Sequence, residues 1–256
     1  MTLLIDADWL IYNSCCACEQ DTRWNDWEHT LHSDERDILN LIENRLDVYK
    51  SIADSNDFIY KYSPTNSKHD IVMCFTSYPT FRHEIFPEYK INRIGKRKPL
   101  ALKSVIKEVK ERYETVAYEN LEGDDVLGLL ATNGRYKDPI IVSVDKDMRT
   151  LPCKLIADDS IEHITNKKAD RHWFEMSLAG DAGDGILGIK GMGMVTASKT
   201  LANTPDTKEA LWSKVQETYT KKGYTIADAI LNARLTRILR EGDYDYNTGE
   251  VKLWNP

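Results

Sequence analysis

Short apolar segments that end in acidic residues are the feature of this chain that most constrains its fold. The segment Thr2–Asp6 is apolar until it closes on an aspartate, and residues 139–144 are almost wholly apolar and lead into Asp145 and Asp147. Apolar segments of this length are typical of strands buried on both faces. Because polar groups gather at the carboxyl ends of parallel strands, the pattern predicts a parallel sheet with an acidic edge.

Segments with apolar residues at helical spacing separate these strands. In the longest of them, Ile38, Ile42 and Leu46 recur at intervals of four residues. Helices are predicted over residues 34–52, 99–113 and 122–132, and further strands over 71–76, after a loop at 63–67, and over 116–118. Strands that alternate with helices predict an α/β fold in which a mostly parallel central sheet is flanked by helices.

The composition excludes several classes of protein. With 256 residues, of which 41% are hydrophobic and 29% charged, the chain is long and apolar enough for a folded core. No apolar run approaches the ~20 residues that span a bilayer, and the amino terminus becomes charged too early for a secretory signal. We therefore expect a soluble cytoplasmic protein that makes no membrane contact.

The five cysteines make a poor disulfide framework, because their number is odd and three of them lie within residues 15–18. Cys15 and Cys18 have the Cys-x-x-Cys spacing of a zinc site, but no second pair of cysteines or histidines follows at ligand spacing. Reduced, buried helical cysteines are therefore predicted.

Acidic residues cluster in three motifs, Glu122-Gly123-Asp124-Asp125, Asp145-Lys146-Asp147 and Asp181-Ala182-Gly183-Asp184. Either of the first two alone is compatible with a solvated turn, and acids also stabilise a helix amino terminus. Oxygen ligands without histidine or thiol partners favour Mg²⁺ or Mn²⁺ over zinc, and two such ions ~4 Å apart can support phosphodiester hydrolysis without a side-chain nucleophile. The net charge of −7 then reflects acids gathered at one site, with a nearly neutral remainder.

Glycines spaced as in a helix-hairpin-helix precede a predicted helix start. Small residues let backbone N–H groups approach an anion, and such a motif grips a DNA backbone without reading bases. A tight turn between two packed helices is the alternative, which the neighbouring lysines disfavour. The residues predicted to contact phosphate here are Gly188, Lys190, Gly191, Gly193, Thr196 and Lys199.

A basic segment follows the second strand. Tyr89 can stack on a base, and Lys90 and Arg93, three residues apart on one predicted helical face, can meet phosphates. A solvated basic loop is the alternative on charge alone. The other residues predicted to contact DNA here are Arg82, Lys96, Arg97 and Lys98.

The order and spacing of these motifs resemble the metal-dependent 5′-nuclease family of flap endonucleases and 5′-3′ exonucleases. The carriers are Ile5-Asp6-Ala7-Asp8-Trp9-Leu10, Phe81-Arg82-His83-Glu84, Tyr89-Lys90 with Arg93, and the three acidic motifs with Gly191-Met192-Gly193. Within the family the chain looks most like the phage T7-type 5′-3′ exonucleases. Each motif alone is weak, whereas their order over nearly the whole chain is specific.

The resemblance implies a PIN-like nuclease fold with a helical arch, a helix-hairpin-helix (H3TH) region and two neighbouring Mg²⁺ sites, in which Mn²⁺ can substitute. It places Asp6, Glu122, Asp124, Asp125 and Asp145 nearer the first ion, and Asp147, Asp181 and Asp184 nearer the second. It implies that Lys90 and Arg93 steer the scissile phosphate, and that K⁺ can bind at the helix-hairpin-helix. The sequence does not give the oligomeric state, for which a monomer is our expectation, and we expect the host cytoplasm as the location if the gene belongs to a phage.

From these observations we predict an α/β nuclease domain over residues 1–165, with a basic arch at about 84–99, and a helical DNA-binding region over 166–256 that includes a strand at 251–254. The predicted activity is hydrolysis of DNA from or near a 5′ end, at duplex ends, nicks or flaps, with RNA–DNA hybrids as further candidate substrates. The alternatives are an RNA-cleaving PIN-type nuclease and a DNA-binding protein with weakened catalysis.

One departure from the family pattern bears on the second alternative. The family usually carries an aspartate just after the second strand, where Cys74-Phe75-Thr76-Ser77 supplies none. Asp8 or a water molecule is the predicted substitute, and we expect weaker affinity at the first ion as a consequence.

Overall fold

A six-stranded sheet lies at the centre of the protein, described here by a computed structural model over residues 1–55 and 69–256. The predicted loop at 63–67 lies outside these residues. In spatial order the strands are β5 (Glu114–Val116), β4 (Asp70–Cys74), β1 (Thr2–Asp6), β6 (Pro139–Val142), β7 (Lys154–Ile156) and β8 (Ile161–His163). All neighbours pair in parallel except β7 and β8. The predicted mostly parallel sheet is therefore confirmed, and β7 and β8 are strands that the sequence pattern did not indicate.

Strand β1 is buried on both faces because its side chains alternate between two apolar cores. Leu4 belongs to one core, and Leu3 and Ile5 belong to the other. The face of Leu3 is covered by α1 (Ala7–Cys18), α2 (Glu35–Ser55) and α4 (Leu102–Arg112). The face of Leu4 is covered mainly by α5 (Gly123–Thr132).

The predicted helices are confirmed to within a few residues at each end. Two further elements connect them, an exposed hairpin of β2 (Gln20–Arg23) and β3 (His29–His32) and the short helix α3 (Phe81–Ile85). In α1, Cys15 is buried, whereas Cys16 is exposed because the next residue of a helix points about 100° away. Both cysteines of the Cys-x-x-Cys pair lie in α1 as predicted, but only Cys15 is buried, whereas Cys18 is half-buried. All five thiols are free.

The second half of the chain is helical. Helix α6 (Asn166–Ala179) leads into a small hairpin of β9 (Gly180–Asp181) and β10 (Ile186–Leu187), and then into α7 (Met194–Leu201), α8 (Lys208–Lys221) and α9 (Ile226–Leu235). Strands β11 (Tyr244–Asp245) and β12 (Glu250–Val251) form a last hairpin. The predicted strand at 251–254 is wrong after Val251, because Trp254 turns into the helices and contacts the rings of Trp173 and Trp212.

The segment that follows α9 returns across α5 and joins the two halves of the chain. Ile238 and Leu239 belong to the same apolar core as Leu4. The crossing is so close that a Cβ at Gly128 would lie 2.2 Å from the carbonyl oxygen of Leu239, which only glycine avoids. The predicted boundary at residue 165 therefore separates two stretches of chain that share one core, and it stays a prediction.

None of the helices in the described parts of the chain combines the length and the apolar character needed to cross a bilayer.

Candidate active site

The predicted acids meet at the carboxyl edge of the parallel strands. Asp6 ends β1 and caps α1, where its carboxylate accepts a hydrogen bond of 3.1 Å from the amide of Trp9. Ser143, just beyond β6, donates its hydroxyl to the same carboxylate at 2.8 Å. Asp145 follows two residues later, and its side chain accepts from the amide of Asp147. This edge lies where the strand order reverses about β1, which is where α/β sheets usually place a site.

The first group of acids shares one electrostatic environment. Burial raises the pKa of Asp6 to about 6, aided by the charges of Asp8 and Asp145 and opposed by the Ser143 hydrogen bond. Burial also raises the pKa of Asp124 well above its usual value, with Asp6 and Asp145 adding to the effect. Mutually repelling carboxylates of this kind are stabilised by a bound cation.

A second group of acids surrounds Asp147. Burial raises the pKa of Asp147 to about 7, and the charges of Asp145, Asp181 and Asp184 add to the effect while Lys146 opposes it. The Oδ1 atom of Asp147 is buried, and no donor for it is found among the residues that the structure describes. A buried oxygen without a donor is an expected place for a cation. Lys146, for which no role was predicted, lies 3.1 Å from Asp181.

Lys90 and Arg93 contact the acids directly. The Nζ atom of Lys90 is 2.5 Å from Oε1 of Glu122, and Arg93 pairs with Asp184. Burial raises the pKa of Glu122, but Arg82 and Lys90 outweigh that effect and hold it below its usual value. These cations act as internal counter-ions for two of the predicted ligands.

The prediction that the arch at 84–99 is helical is wrong. Beyond α3 the segment contains a single 3₁₀ turn, Ile91–Arg93, which follows Lys90 in the left-handed region at φ 54°. Pro87 and the positive φ of Gly95 interrupt regular structure on either side. Lys90 and Arg93 therefore reach the acids from a turn and not from one face of an α-helix.

Arg82 was predicted to contact DNA, and the structure contradicts this. Its side chain is 3% exposed, and the guanidinium donates to Asp125, to Glu122 and to two backbone carbonyls. A cation buried with these partners has no surface to offer a phosphate.

Asp125 is placed differently from the other predicted ligands. It is fully buried, and its oxygens accept from Arg82 and from the amide of Leu239, with a longer contact from the amide of Glu122. Its carboxylate is thus saturated by donors within the protein.

Tyr89 was predicted to stack on a base, and this is also contradicted. The residue is 4% exposed and packs with Ile186 and Leu235. Its hydroxyl donates to Glu122 at 2.8 Å and lies 3.1 Å from Asp184. The apolar ring provides packing, and the hydroxyl orients acids.

The remaining cations of the basic segment lie on the surface. Lys96, Arg97 and Lys98 are exposed, and Arg97 pairs with Glu19 at the end of α1. Of these three, Arg97 is thus engaged within the protein, and within the described residues none of the three pairs with a predicted metal ligand.

The helix-hairpin-helix is present between α6 and α7. Gly188 crosses Gly180 so closely that a Cβ on Gly180 would lie 2.2 Å from the Gly188 amide nitrogen. Gly191 has φ +78°, and Gly193 caps α7 without a side-chain hydrogen bond, so the first amides of that helix are left without a side-chain cap. Of the predicted phosphate contacts in this motif, Lys190, Thr196 and Lys199 have side chains that reach the surface.

The edge of β4, where the family aspartate is absent, is occupied by Asp8. Its Oδ2 atom accepts from the amide of Thr76 at 2.9 Å. The Thr76 hydroxyl in turn accepts from the amide of Gly123, next to Glu122. Asp8 therefore lies at the edge of β4 where the family aspartate is absent. It is two residues after Asp6, a spacing that allows it to reach this edge.

Sequence reasoning also missed Ser143 as a partner of Asp6. Its signal was its place two residues before Asp145, which puts both side chains on one side of the extended chain.

Within the described residues, no three acidic, histidine or cysteine side chains stand close enough together to enclose a metal ion. Lys90 lies between Glu122 and Asp184, and Arg93 and Lys146 pair with Asp184 and Asp181. The donor set nevertheless fits a hard divalent cation, because it consists of carboxylates with raised pKa values and one buried oxygen without a donor.

Comparisons with known proteins assign the chain to a family. A family described as "5′-3′ exonuclease, N-terminal resolvase-like domain" matches residues 51–177. The exodeoxyribonuclease of Enterobacteria phage T3 is 28% identical over 99% of this chain and 92% of its own length, and the exonuclease of Escherichia phage T7 is 28% identical over 99% and 93%. The chain belongs to the 5′-3′ exonuclease family. As a member of this family it is a nuclease.

The fold of this 5′-3′ exonuclease family member agrees with solved structures. A structure of T5 5′-exonuclease with bound zinc superposes with a TM-score of 0.60 at 16% identity, covering 92% of this chain and 88% of that one. A second structure of the T5 protein, crystallised with metal ions, gives 0.61 at 15% identity over the same shares. These matches confirm the PIN-like α/β fold.

Proposed function

We propose that the chain is a divalent-metal-dependent nuclease that hydrolyses DNA phosphodiesters from or near a 5′ end. The observation that carries the proposal is the convergence of acids from β1, the start of α5, the end of β6 and the β9–β10 hairpin at one edge of the sheet, with Lys90 between them. The T3 and T7 proteins are named as an exodeoxyribonuclease and an exonuclease, which agrees with this chemistry.

Two groups of acids would hold the metal ions, for which Mg²⁺ is the proposed ion and Mn²⁺ a substitute. When bound, two such ions lower the pKa of an attacking water and stabilise the charge that develops on the phosphate. The first group comprises Asp6, Glu122, Asp124 and Asp145, with Asp8 as an additional candidate. The second comprises Asp147, Asp181 and Asp184. We leave Asp125 out of both, because its oxygens are already saturated.

The residues of the chain that would bind and orient the scissile phosphate are Lys90 and Arg93. Both side chains pair with acids in this structure. Once other positive charge neutralises those acids, each side chain can exchange its carboxylate partner for a phosphate. Lys90 is largely buried and stays charged, because Glu122 and Asp184 raise its pKa although burial lowers it.

The helix-hairpin-helix would hold the DNA backbone away from the cleavage point. The uncapped start of α7 and the surface lysines Lys190 and Lys199 suit a phosphate, and backbone carbonyls of the turn are the proposed site for K⁺. Lys96, Arg97 and Lys98 extend the basic surface. Because such contacts read the backbone, we propose duplex ends, nicks and flaps as substrates, and RNA–DNA hybrids as a further class. We propose a monomer.

The test is cleavage of duplexes labelled at the 5′ or the 3′ end, with Mg²⁺ or with EDTA, by the wild-type protein and Asp145→Asn. We expect early release of the 5′ label in Mg²⁺, and no cleavage in EDTA or by Asp145→Asn, which should still bind DNA. Cleavage of single-stranded RNA in preference to DNA would favour an RNA-cleaving PIN-type nuclease. Binding without cleavage by the wild-type protein would favour a DNA-binding protein with weakened catalysis.

A further inference from the structure

Arg82 joins three segments that are far apart in the sequence. Its guanidinium donates to Glu122 at 2.9 Å and to Asp125 at 2.9 Å, both at the start of α5. The same group donates to the carbonyl of Leu235 at 3.0 Å and to that of Arg237 at 2.7 Å, where the chain leaves α9. The arginine itself lies in α3, between the sheet and the basic segment.

Asp125 completes the connection from the other side. One of its oxygens accepts from the amide of Leu239 at 3.1 Å, so the carboxylate is fixed to the crossing segment as well as to Arg82. Glu122 and Asp125 also form a capping box, in which each carboxylate accepts from the backbone of the other residue. The orientation of Glu122 is therefore tied to the position of the segment 235–239.

We propose that the Arg82–Asp125 pair is a positioning device that orients Glu122 for metal binding and couples it to the helical region. This inference rests on the proposed function, in which Glu122 is a ligand and the helices α6 to α9 hold DNA. The pair touches neither metal nor substrate in this scheme. It acts through Glu122.

The geometry favours this role over simple stabilisation. A buried ion pair loses much of its attraction to desolvation, so stability alone is a weak reason for burying two charges at this point. What arginine supplies is a planar fork with five donors that can meet a carboxylate and two carbonyls at once. Lysine carries the same charge but cannot hold that set of partners together.

Direct Mn²⁺ binding in the absence of DNA tests the proposal, measured from the free Mn²⁺ signal in electron paramagnetic resonance. Arg82→Lys should bind Mn²⁺ about 10–100-fold more weakly than the wild type, as loss of a group that orients a ligand usually does. Its turnover number should fall more than its KM for DNA rises. Arg171→Lys is the matched control, because Arg171 also joins one carboxylate, that of Asp206, to two backbone carbonyls, those of Leu201 and Thr204.

Both variants are expected to lose some thermal stability, and only Arg82→Lys should lose Mn²⁺ affinity. Unchanged affinity in Arg82→Lys, or an equal loss in Arg171→Lys, would overturn the proposal. If Arg82→Lys does not fold, Asp125→Asn replaces it, since asparagine keeps the size and one acceptor, and the same loss of affinity is expected. A wild-type protein that binds no Mn²⁺ would instead overturn the proposed metal centre, and this coupling with it.

Discussion

The Nζ atom of Lys90 lies between Glu122 and Asp184, 2.5 Å from Oε1 of the first and 3.4 Å from Oδ2 of the second. These acids belong to the two different groups proposed to hold metal ions. The left-handed backbone of Lys90 costs roughly 1–2 kcal/mol, and its amide donates to the carbonyl of Asp184 at 2.9 Å. The turn thus holds the ammonium group of Lys90 between carboxylates for which metal ions are expected to compete with it.

Replacing Lys90 by methionine should change stability and metal affinity in opposite directions. Without metal, Glu122 and Asp184 lose a counter-ion, and the free energy of unfolding should fall by about 1–3 kcal/mol. Mn²⁺ should bind several-fold more tightly, because no internal cation competes for the carboxylates. Turnover on DNA should fall by about 100-fold or more as phosphate stabilisation is lost.

The control for this variant is Arg97→Met, which removes a cation of the same segment that pairs with Glu19 instead. Chemical unfolding in EDTA and a Mn²⁺ titration measure the two effects. Weaker Mn²⁺ binding in Lys90→Met would contradict the account of Lys90 as a competing counter-ion.

Asp147→Asn should stabilise the metal-free protein at high pH. Burial and neighbouring acids raise the pKa of Asp147 from 3.8 to about 7, so the folded state holds this proton more tightly than the unfolded state. The free energy of unfolding therefore falls as pH rises from about 4 to 7. Above that range Asp147 is charged in the folded state, and the penalty of burying this charge lowers the stability in full. Asparagine removes the penalty.

After allowance for solvent screening, we expect a gain of about 1–2 kcal/mol for Asp147→Asn at pH 8, or a Tm higher by about 5 °C, and a smaller gain at pH 5. Thermal unfolding in EDTA at both pH values measures it. A variant that is less stable than the wild type at pH 8 would refute the proposed repulsion at this site.

Ser143→Ala should move the pH dependence of metal binding upward. The serine hydroxyl lowers the pKa of Asp6, which lies at about 6 because burial raises it. Loss of one hydrogen bond to a carboxylate should raise that pKa further, by up to about one unit. The pH of half-maximal Mn²⁺ binding should follow it. Ser177→Ala, which removes a buried hydroxyl bonded to the carbonyl of Trp173, should leave this pH unchanged.

Lys190 and Lys199 should account for part of the salt dependence of DNA binding. If each contacts a phosphate, removing both should reduce the slope of log affinity against log salt by about 2. The measurement is fluorescence anisotropy with a labelled duplex, in Ca²⁺ to prevent cleavage. Lys107→Ala, an exposed lysine of α4 that pairs with Glu111, should leave the slope unchanged. An unaltered slope in the double variant would remove both lysines from the phosphate contacts.

The elements of the fold that were predictable are those whose pattern is local. The burial of β1 and β6 on both faces appears as uninterrupted apolar residues, and α2 and α4 appear as helical spacing. Strands β7 and β8 are three residues each, too short for a periodic signal. The end of the chain departs from its predicted strand because Trp254 finds aromatic partners in distant helices.

In the candidate site, too, the features that could be predicted are those that depend on a local sequence pattern. Acids at strand ends could be predicted to converge because parallel strands share one edge. The roles of Arg82 and Tyr89 could not be predicted. In a sequence, a basic or aromatic residue near a predicted DNA site looks the same whether its partner is a phosphate or a buried carboxylate. Their partners, Asp125 and the carbonyl of Leu235 among them, lie 43 and 153 residues from Arg82 in the chain.

The most direct test of the central claim is a crystal structure with Mn²⁺, with the ions located by anomalous scattering. We expect one peak among Asp6, Glu122, Asp124 and Asp145, a second beside Asp147, Asp181 and Asp184, and Lys90 displaced from Glu122. Anomalous maps without a peak at this edge, with Lys90 still paired to Glu122 at saturating Mn²⁺, would contradict the account.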